Sequence, residues 1–134
     1  MIEIDIKKIV ESLIDTFLEA GKISLELRKK GLIKKIKSDN TPVSNGDLEV
    51  NKIITKKISK LTPTIPIISE ETSENRLIDN LNDFWLIDPI DGTYDYINNL
   101  DEFTINAGLI LDNKPMAGII YAPAKKKIIL FIRL

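Results

Sequence analysis

The chain contains no cysteine and no histidine among its 134 residues. The first absence excludes disulfides and thiolate metal sites. The second removes the commonest general base and the usual nitrogen ligand of zinc. Any catalysis must then run on carboxylates, hydroxyls, lysines and metal-bound water. A dominant charge is missing too: 19 Lys and Arg offset 20 Asp and Glu, for a net charge of −1. That balance gives no electrostatic reason to bind a nucleic-acid polymer or an anionic membrane surface. No apolar run approaches the roughly 18 residues of a transmembrane segment. Residues 1–5 lack a basic start followed by an apolar core, so no secretory signal is expected and a cytoplasmic location is. Repeats, low-complexity tracts and linkers are also absent. What remains is 43% apolar and 29% charged, an ordinary globular balance in a length that suits one domain, residues 1–134.

Periodicity divides the chain into helices first and strands later. Residues 2–30 have helical spacing, with Ile6, Ile9, Val10, Leu13, Ile14, Phe17 and Leu18 on one face. Gly21 weakens the middle of this helix and Gly31 suits its end. Ile33 to Ser38 suits a short strand, followed by the turn-rich Ser38-Asp39-Asn40-Thr41-Pro42. A second helix starts at Ser44, where Ser44 and Asp47 have capping-box spacing, with Leu48, Ile53, Ile54, Ile58 and Leu61 as its buried stripe. Residues 65–69 and 84–88 suit buried strands, separated by a polar connection over 72–83, and a short helix begins near Thr93. From Phe103 the period changes to two. Strands over 103–111, 115–122 and 128–134 then form an antiparallel meander. The apolar run Ile128-Ile129-Leu130-Phe131-Ile132 would leave an edge or a face seeking cover.

Two apolar runs end in acid residues. One delivers Asp88 and Asp91 onto the Pro/Gly-kinked turn Asp88-Pro89-Ile90-Asp91-Gly92-Thr93; the other delivers Glu70 and Glu71 after Ser69. Pro89 fixes one φ and Gly92 lets the chain turn tightly, so both aspartates and the Ile90 carbonyl can be aimed at one point. Glu70 could complete a shell of oxygen ligands around a hard cation such as Mg²⁺, which points to metal-assisted phosphate chemistry. Two ions sharing Asp88 could activate a water and stabilise a leaving oxygen. Gly92 and Thr93 offer backbone N–H groups to a phosphate. Each piece also has a structural reading. Asp-Pro-x-Asp-Gly is good turn chemistry. Glu70-Glu71 could be a solvated strand end, Asp47 a helix cap, Lys37 a solvated lysine, and Tyr94 and Tyr96 packing residues.

In combination, the pieces carry a resemblance. Lys37-Ser38-Asp39-Asn40-Thr41-Pro42-Val43, Asp47, Ser69-Glu70-Glu71 and Trp85-Leu86-Ile87-Asp88-Pro89-Ile90-Asp91-Gly92-Thr93 follow in the order found in the inositol monophosphatase superfamily of Mg²⁺-dependent, lithium-sensitive phosphatases. The segments Thr64 to Glu71, Glu102 to Asn106 and Gly118 to Pro123 most resemble its bacterial 3′(2′),5′-bisphosphate nucleotidase branch. The resemblance implies an α/β fold: two helices on a largely antiparallel sheet, as in the first domain of the sugar-phosphatase fold. It implies a first metal held by Glu70, Asp88 and the Ile90 carbonyl, and a second by Asp88 and Asp91. Thr93, hydrogen-bonded to Asp47, would orient and help deprotonate the attacking water. Gly92 and Thr93 would hold the phosphate through backbone N–H groups, and Glu70, Ile90 and Asp91 would bind substrate with them. The implied reaction is removal of the 3′-phosphate of adenosine 3′,5′-bisphosphate, a by-product of sulfate assimilation, in the cytoplasm or at the inner face of its membrane. Hydrolysis of inositol 1-phosphate or a related sugar phosphate is the alternative within the family.

The resemblance covers the first half of the family's length only. The second half supplies a further metal-binding aspartate, usually after a tryptophan, and the only tryptophan here is Trp85. The expectation is weak or no turnover by this chain alone. A homodimer, a complementary chain carrying the second half, and a non-catalytic remnant are the further expectations.

Overall fold

A computed structural model describes residues 3–71 and 81–133 of the chain. Its first helix, α1 (Glu3–Lys30), runs unbroken through Gly21. It buries Ile6, Ile9, Val10, Leu13, Phe17, Ala20 and Ser24, spaced three or four apart, as an apolar helical face requires. Leu18, expected in that face, is largely exposed, because it falls on the flank of the stripe. The helix is basic in its last turn, where cations complement the helix dipole. Arg28 from that turn lies over the rings of Tyr96 and Phe103, at 5.7 and 5.1 Å from their centroids, and donates to the Leu100 carbonyl at 2.6 Å.

Strand β1 (Lys34–Ile36) is shorter than expected and pairs with an unexpected strand, β2 (Pro42–Ser44), in a small antiparallel hairpin. Its turn closes through Lys37 N–H to the Thr41 carbonyl, with Asn40 in the left-handed region at φ 67°. Helix α2 (Asn45–Leu61) starts on the predicted capping box. Ile54 and Ile58 are buried as expected, but Leu48 is 47% exposed. The buried stripe instead runs through Gly46, Asp47, Val50 and Asn51, so it carries polar groups into the interior.

The main sheet has five strands in the order β3-β4-β5-β6-β7. They are β3 (Ile67–Ser69), β4 (Phe84–Asp91), β5 (Thr104–Leu111), β6 (Lys114–Ala122) and β7 (Lys127–Ile132). β3 runs parallel to β4, and all other neighbours are antiparallel, as a meander requires. Alternation puts Trp85, Ile87, Ile105, Leu109, Ile119 and Tyr121 on the face that α1 and α2 cover. The Trp85 indole N–H donates to Thr62 Oγ1 at 3.0 Å, which anchors the ring under the end of α2. Helix α3 (Thr93–Ile97) follows β4 directly. Most of the connection expected over 72–83 lies outside the described residues; Asn82 and Asp83 at its end are exposed.

Candidate metal and phosphate site

Strand β4 does not end at Asp88 before a turn, as the sequence suggested. It continues to Asp91, and the Pro89-Ile90 step is a bulge inside it. Asp88 pairs with Asn106 and Asp91 with Thr104. Two residues separate the aspartates on β4, whereas one separates their partners on β5. That extra residue matters geometrically. Residues three apart on a regular strand face opposite sides of a sheet; the bulge returns Asp91 to the side of Asp88. Pro89 suits this position because a bulged residue has no ladder bond to donate. Gly92 then turns the chain into α3 at φ 89°, and a Cβ there would meet the Glu102 carbonyl oxygen at 2.9 Å.

The Asp47 carboxylate serves two masters. Its Oδ2 accepts from Ser44 N–H at 2.9 Å and from Ser44 Oγ at 2.6 Å, which is the capping role. Its Oδ1 lies 2.9 Å from Thr93 Oγ1 as acceptor. The capping and the functional readings of Asp47 therefore hold together. Thr93 Oγ1 also lies 3.2 Å from the Ile90 carbonyl, so its single hydrogen serves one acceptor at a time and its lone pairs stay open to a donor. The side chain behind this pair is Tyr96, whose hydroxyl donates to the Ser24 carbonyl at 2.7 Å and ties α3 to α1. Burial, with Asp47 nearby, pushes the Tyr96 hydroxyl above its ordinary range, so it stays a donor. Its ring fills the space beside Gly46 that a side chain would need. Tyr96 is thus a packing residue, as expected, whereas Tyr94 is exposed and lines the cleft.

Glu70 is brought to Asp88 by the parallel pairing of β3 and β4. Ser69 stands opposite Ile87, and Glu70 N–H donates to the Ile87 carbonyl at 3.2 Å. Glu70, Glu71, Asp88, Asp91, Ile90, Gly92 and Thr93 line one cleft of about 460 Å³. Its other wall is the hairpin turn, with Lys37, Asp39, Thr41 and Pro42. Lys37 is not simply solvated: its Nζ lies 3.6 Å from Glu71 Oε1, and the Glu71 side chain is 5% exposed. Among the described residues no three acids stand close enough to form a ready-made metal cage. The acids are gathered on one cleft rather than clamped together.

The electrostatics of that cleft are unbalanced. Burial first, and then the charges of Glu70, Asp91, Glu71 and Asp47, push the Asp88 carboxyl up to about 7. Burial likewise raises Glu71, against the opposing pull of Lys37. Asp88 Oδ1 is buried and has no hydrogen-bond partner among the described residues. A buried carboxylate oxygen without a partner, surrounded by like charges, is costly unless a cation joins it. The donor set is all oxygen, which suits Mg²⁺ or Ca²⁺ and not a soft metal. The residues present fit a hard divalent ion.

An α/β core whose sheet carries a bulged Asp-Pro-x-Asp-Gly-Thr strand end, with an acid pair beside it and a Thr–Asp pair behind, defines a family. The chain belongs to the inositol monophosphatase family, whose profile it matches over residues 5–133. It is 39% identical over 120 residues to the 3′(2′),5′-bisphosphate nucleotidase CysQ of Buchnera aphidicola, covering 87% of this chain and 45% of that protein. Its fold matches the extragenic suppressor protein suhB of Bartonella henselae with a TM-score of 0.83 at 24% identity, covering 94% of this chain and 49% of the other. An IMPase/NADP phosphatase complexed with Mg²⁺ and phosphate matches with a TM-score of 0.78 at 22% identity, over 92% of this chain and 48% of the other. The chain spans about half the length of the curated relatives it matches.

Sequence reasoning passed over Asn51 and gave Ser69 no role of its own. Both are buried, and Ser69 Oγ donates to Asn51 Oδ1. The available signal was Asn51 itself, four residues after Asp47 on the same helical face.

Proposed function

We propose that this chain is the cation- and phosphate-binding half of a Mg²⁺-dependent phosphomonoester hydrolase that acts on the 3′-phosphate of adenosine 3′,5′-bisphosphate, giving AMP and phosphate. The observation that carries this reading is the convergence of the Asp47–Thr93 pair with the bulged Asp88 and Asp91 on one cleft. Kinship with the CysQ nucleotidase of Buchnera supports the substrate class.

Glu70, Asp88, Asp91 and the Ile90 carbonyl would hold the ions. Bound Mg²⁺ would polarise the phosphoryl oxygens and lower the pKa of a water. The residues of this chain then divide the remaining work. Thr93 donates its hydroxyl hydrogen to Asp47 Oδ1, which turns its Oγ1 lone pair toward the cleft to accept from the attacking water. As the water is deprotonated, its proton passes to Thr93 Oγ1 and the threonine proton moves toward Asp47. This pair replaces the histidine that the chain lacks. Backbone N–H groups of Gly92 and Thr93, which line the cleft, would hold the phosphate. Lithium inhibition and a cytoplasmic or membrane-peripheral site belong to this reading.

The test is a titration of the purified chain with Mn²⁺, with and without adenosine 3′,5′-bisphosphate, inositol 1-phosphate or AMP plus phosphate. The bisphosphate should tighten the ion's binding most, and phosphate release should be weak in the half-length chain. Tightest coupling with inositol 1-phosphate would move the assignment to the sugar-phosphatase alternative. No coupling with any phosphate compound would refute the proposal. Sedimentation across concentrations shows whether the competent species is a homodimer, and strong turnover only after adding a second chain would identify a complementary subunit.

A further inference from the structure

Helix α2 carries a second polar contact one turn beyond Asp47. Its buried stripe is otherwise apolar: Val50, Ile54 and Ile58 are fully buried. Asn51 interrupts that stripe with only 2% exposure, and its Oδ1 accepts from the hydroxyl of Ser69, which is 1% exposed. Residues four apart on a helix stand one above the other. Asp47 and Asn51 therefore reach out from one face of α2, the first to Thr93 and the second to the end of β3.

The end of β3 is where the acid pair begins. β3 has three residues and lies at the edge of the sheet, so a single neighbour holds it. Its ladder ends with Glu70 N–H on the Ile87 carbonyl. Beyond that, Glu71 N–H donates to Ser69 Oγ at 3.4 Å, and its carboxylate meets Lys37. The Ser69 hydroxyl thus stands between Asn51 on the helix and the backbone of Glu71. A buried hydrogen bond adds only about 1 kcal/mol to stability, so the weight of this contact lies in where it holds the chain beyond β3.

We infer that Asn51, through Ser69, is a positioning residue that sets the place of Glu70 and Glu71 relative to Asp88, so that α2 aligns the water-activating pair and the cation acids together. This rests on the reading of the cleft as a cation site. The backbone part of the claim is independent of any ion.

The experiment compares the wild type with Asn51→Leu/Ser69→Ala, Asn51→Ala and Ser69→Thr. Amide exchange is followed by NMR at Glu70 and Glu71, melting temperature is recorded, and Mn²⁺ is titrated. In the double variant exchange at Glu70 and Glu71 should quicken about five-fold, while the protein still melts in one cooperative transition. Its Mn²⁺ affinity should fall about 10- to 100-fold. Asn51→Ala, which keeps the Ser69 hydroxyl and its contact with Glu71 N–H, is the second variant and should show the same local exchange. Ser69→Thr keeps the hydroxyl and should retain wild-type values. Unchanged exchange at both glutamates in both Asn51 variants overturns the inference. Quickened exchange in a protein whose wild type binds no Mn²⁺ upholds the alignment and removes the cation reading instead.

Discussion

The five-stranded sheet has two apolar faces, and among the described residues only one is covered. On the helix side Trp85, Ile105, Leu109 and Ile119 are sealed beneath α1 and α2. On the other side Leu86, Ile120, Ile129 and Phe131 are 44–63% exposed, and the face ends in Asp88, Asp91, Thr104 and Asn106. The strands are similar in residue type, so composition does not explain the difference. Cover does. Burial of a large aliphatic side chain is worth about 1.5–3 kcal/mol, and only the helix side collects it. The covered face holds the chain together; the open face presents the acids.

Substitutions on the two faces sharpen this contrast. Leu109→Ala should destabilise the protein by about 3 kcal/mol in urea, since it empties a sealed site. A loss below about 1 kcal/mol would mean that the helices do not seal that face. Gly92→Ala, at the junction between sheet and α3, should cost about 1–2 kcal/mol by straining a left-handed backbone beside the Glu102 carbonyl. It should also disturb phosphate coupling, which the covered-face variant, once refolded, should not.

The open face carries a pH signature. The Asp88 carboxyl is raised to about 7 in the cation-free fold from an ordinary 3.8. The folded state therefore binds more protons than the unfolded one between these values. The Asp88 contribution to stability is fully present below about 3.8, falls as pH rises toward 7, and is lost above it. Asp88→Asn should remove most of that slope, gaining on the order of 1 kcal/mol at pH 8 once solvent screening of this half-exposed group is allowed for, and little at pH 4. A variant that melts like the wild type at both pH values would show that the acids do not strain the cleft. The smallest effect belongs to Ile129→Ser, which should change stability by less than about 0.5 kcal/mol yet reduce binding of an apolar dye. A loss comparable to that of Leu109→Ala would break the contrast between the faces.

Much of this was legible in the chain. The period-two run from Phe103 became β5, and the Ser44–Asp47 spacing became a true capping box. The exposed apolar strand near residues 128–132 was foreseen from its residues alone. The misses share a cause: they depend on partners distant in sequence. Leu48 and Asn51 exchange places because the inward face of α2 is the one that meets Thr93 and Ser69, partners that local periodicity does not encode. Asp88-Pro89-Ile90-Asp91 reads as a turn in isolation, and only pairing with β5 makes it a bulge. Lys37 reads as solvated until the hairpin sets it against Glu71.

The central claim is that Asp88 and its neighbours form a centre for a divalent ion, at a cost to the empty fold. Mn²⁺ titration of the wild type and of Asp88→Asn, with the melting temperature of each recorded in chelator at pH 8, tests it most directly. The account predicts saturable binding that weakens at least about ten-fold in Asp88→Asn, together with a higher melting temperature for that variant. Equal Mn²⁺ affinity in the two proteins, or no binding by the wild type, would contradict it.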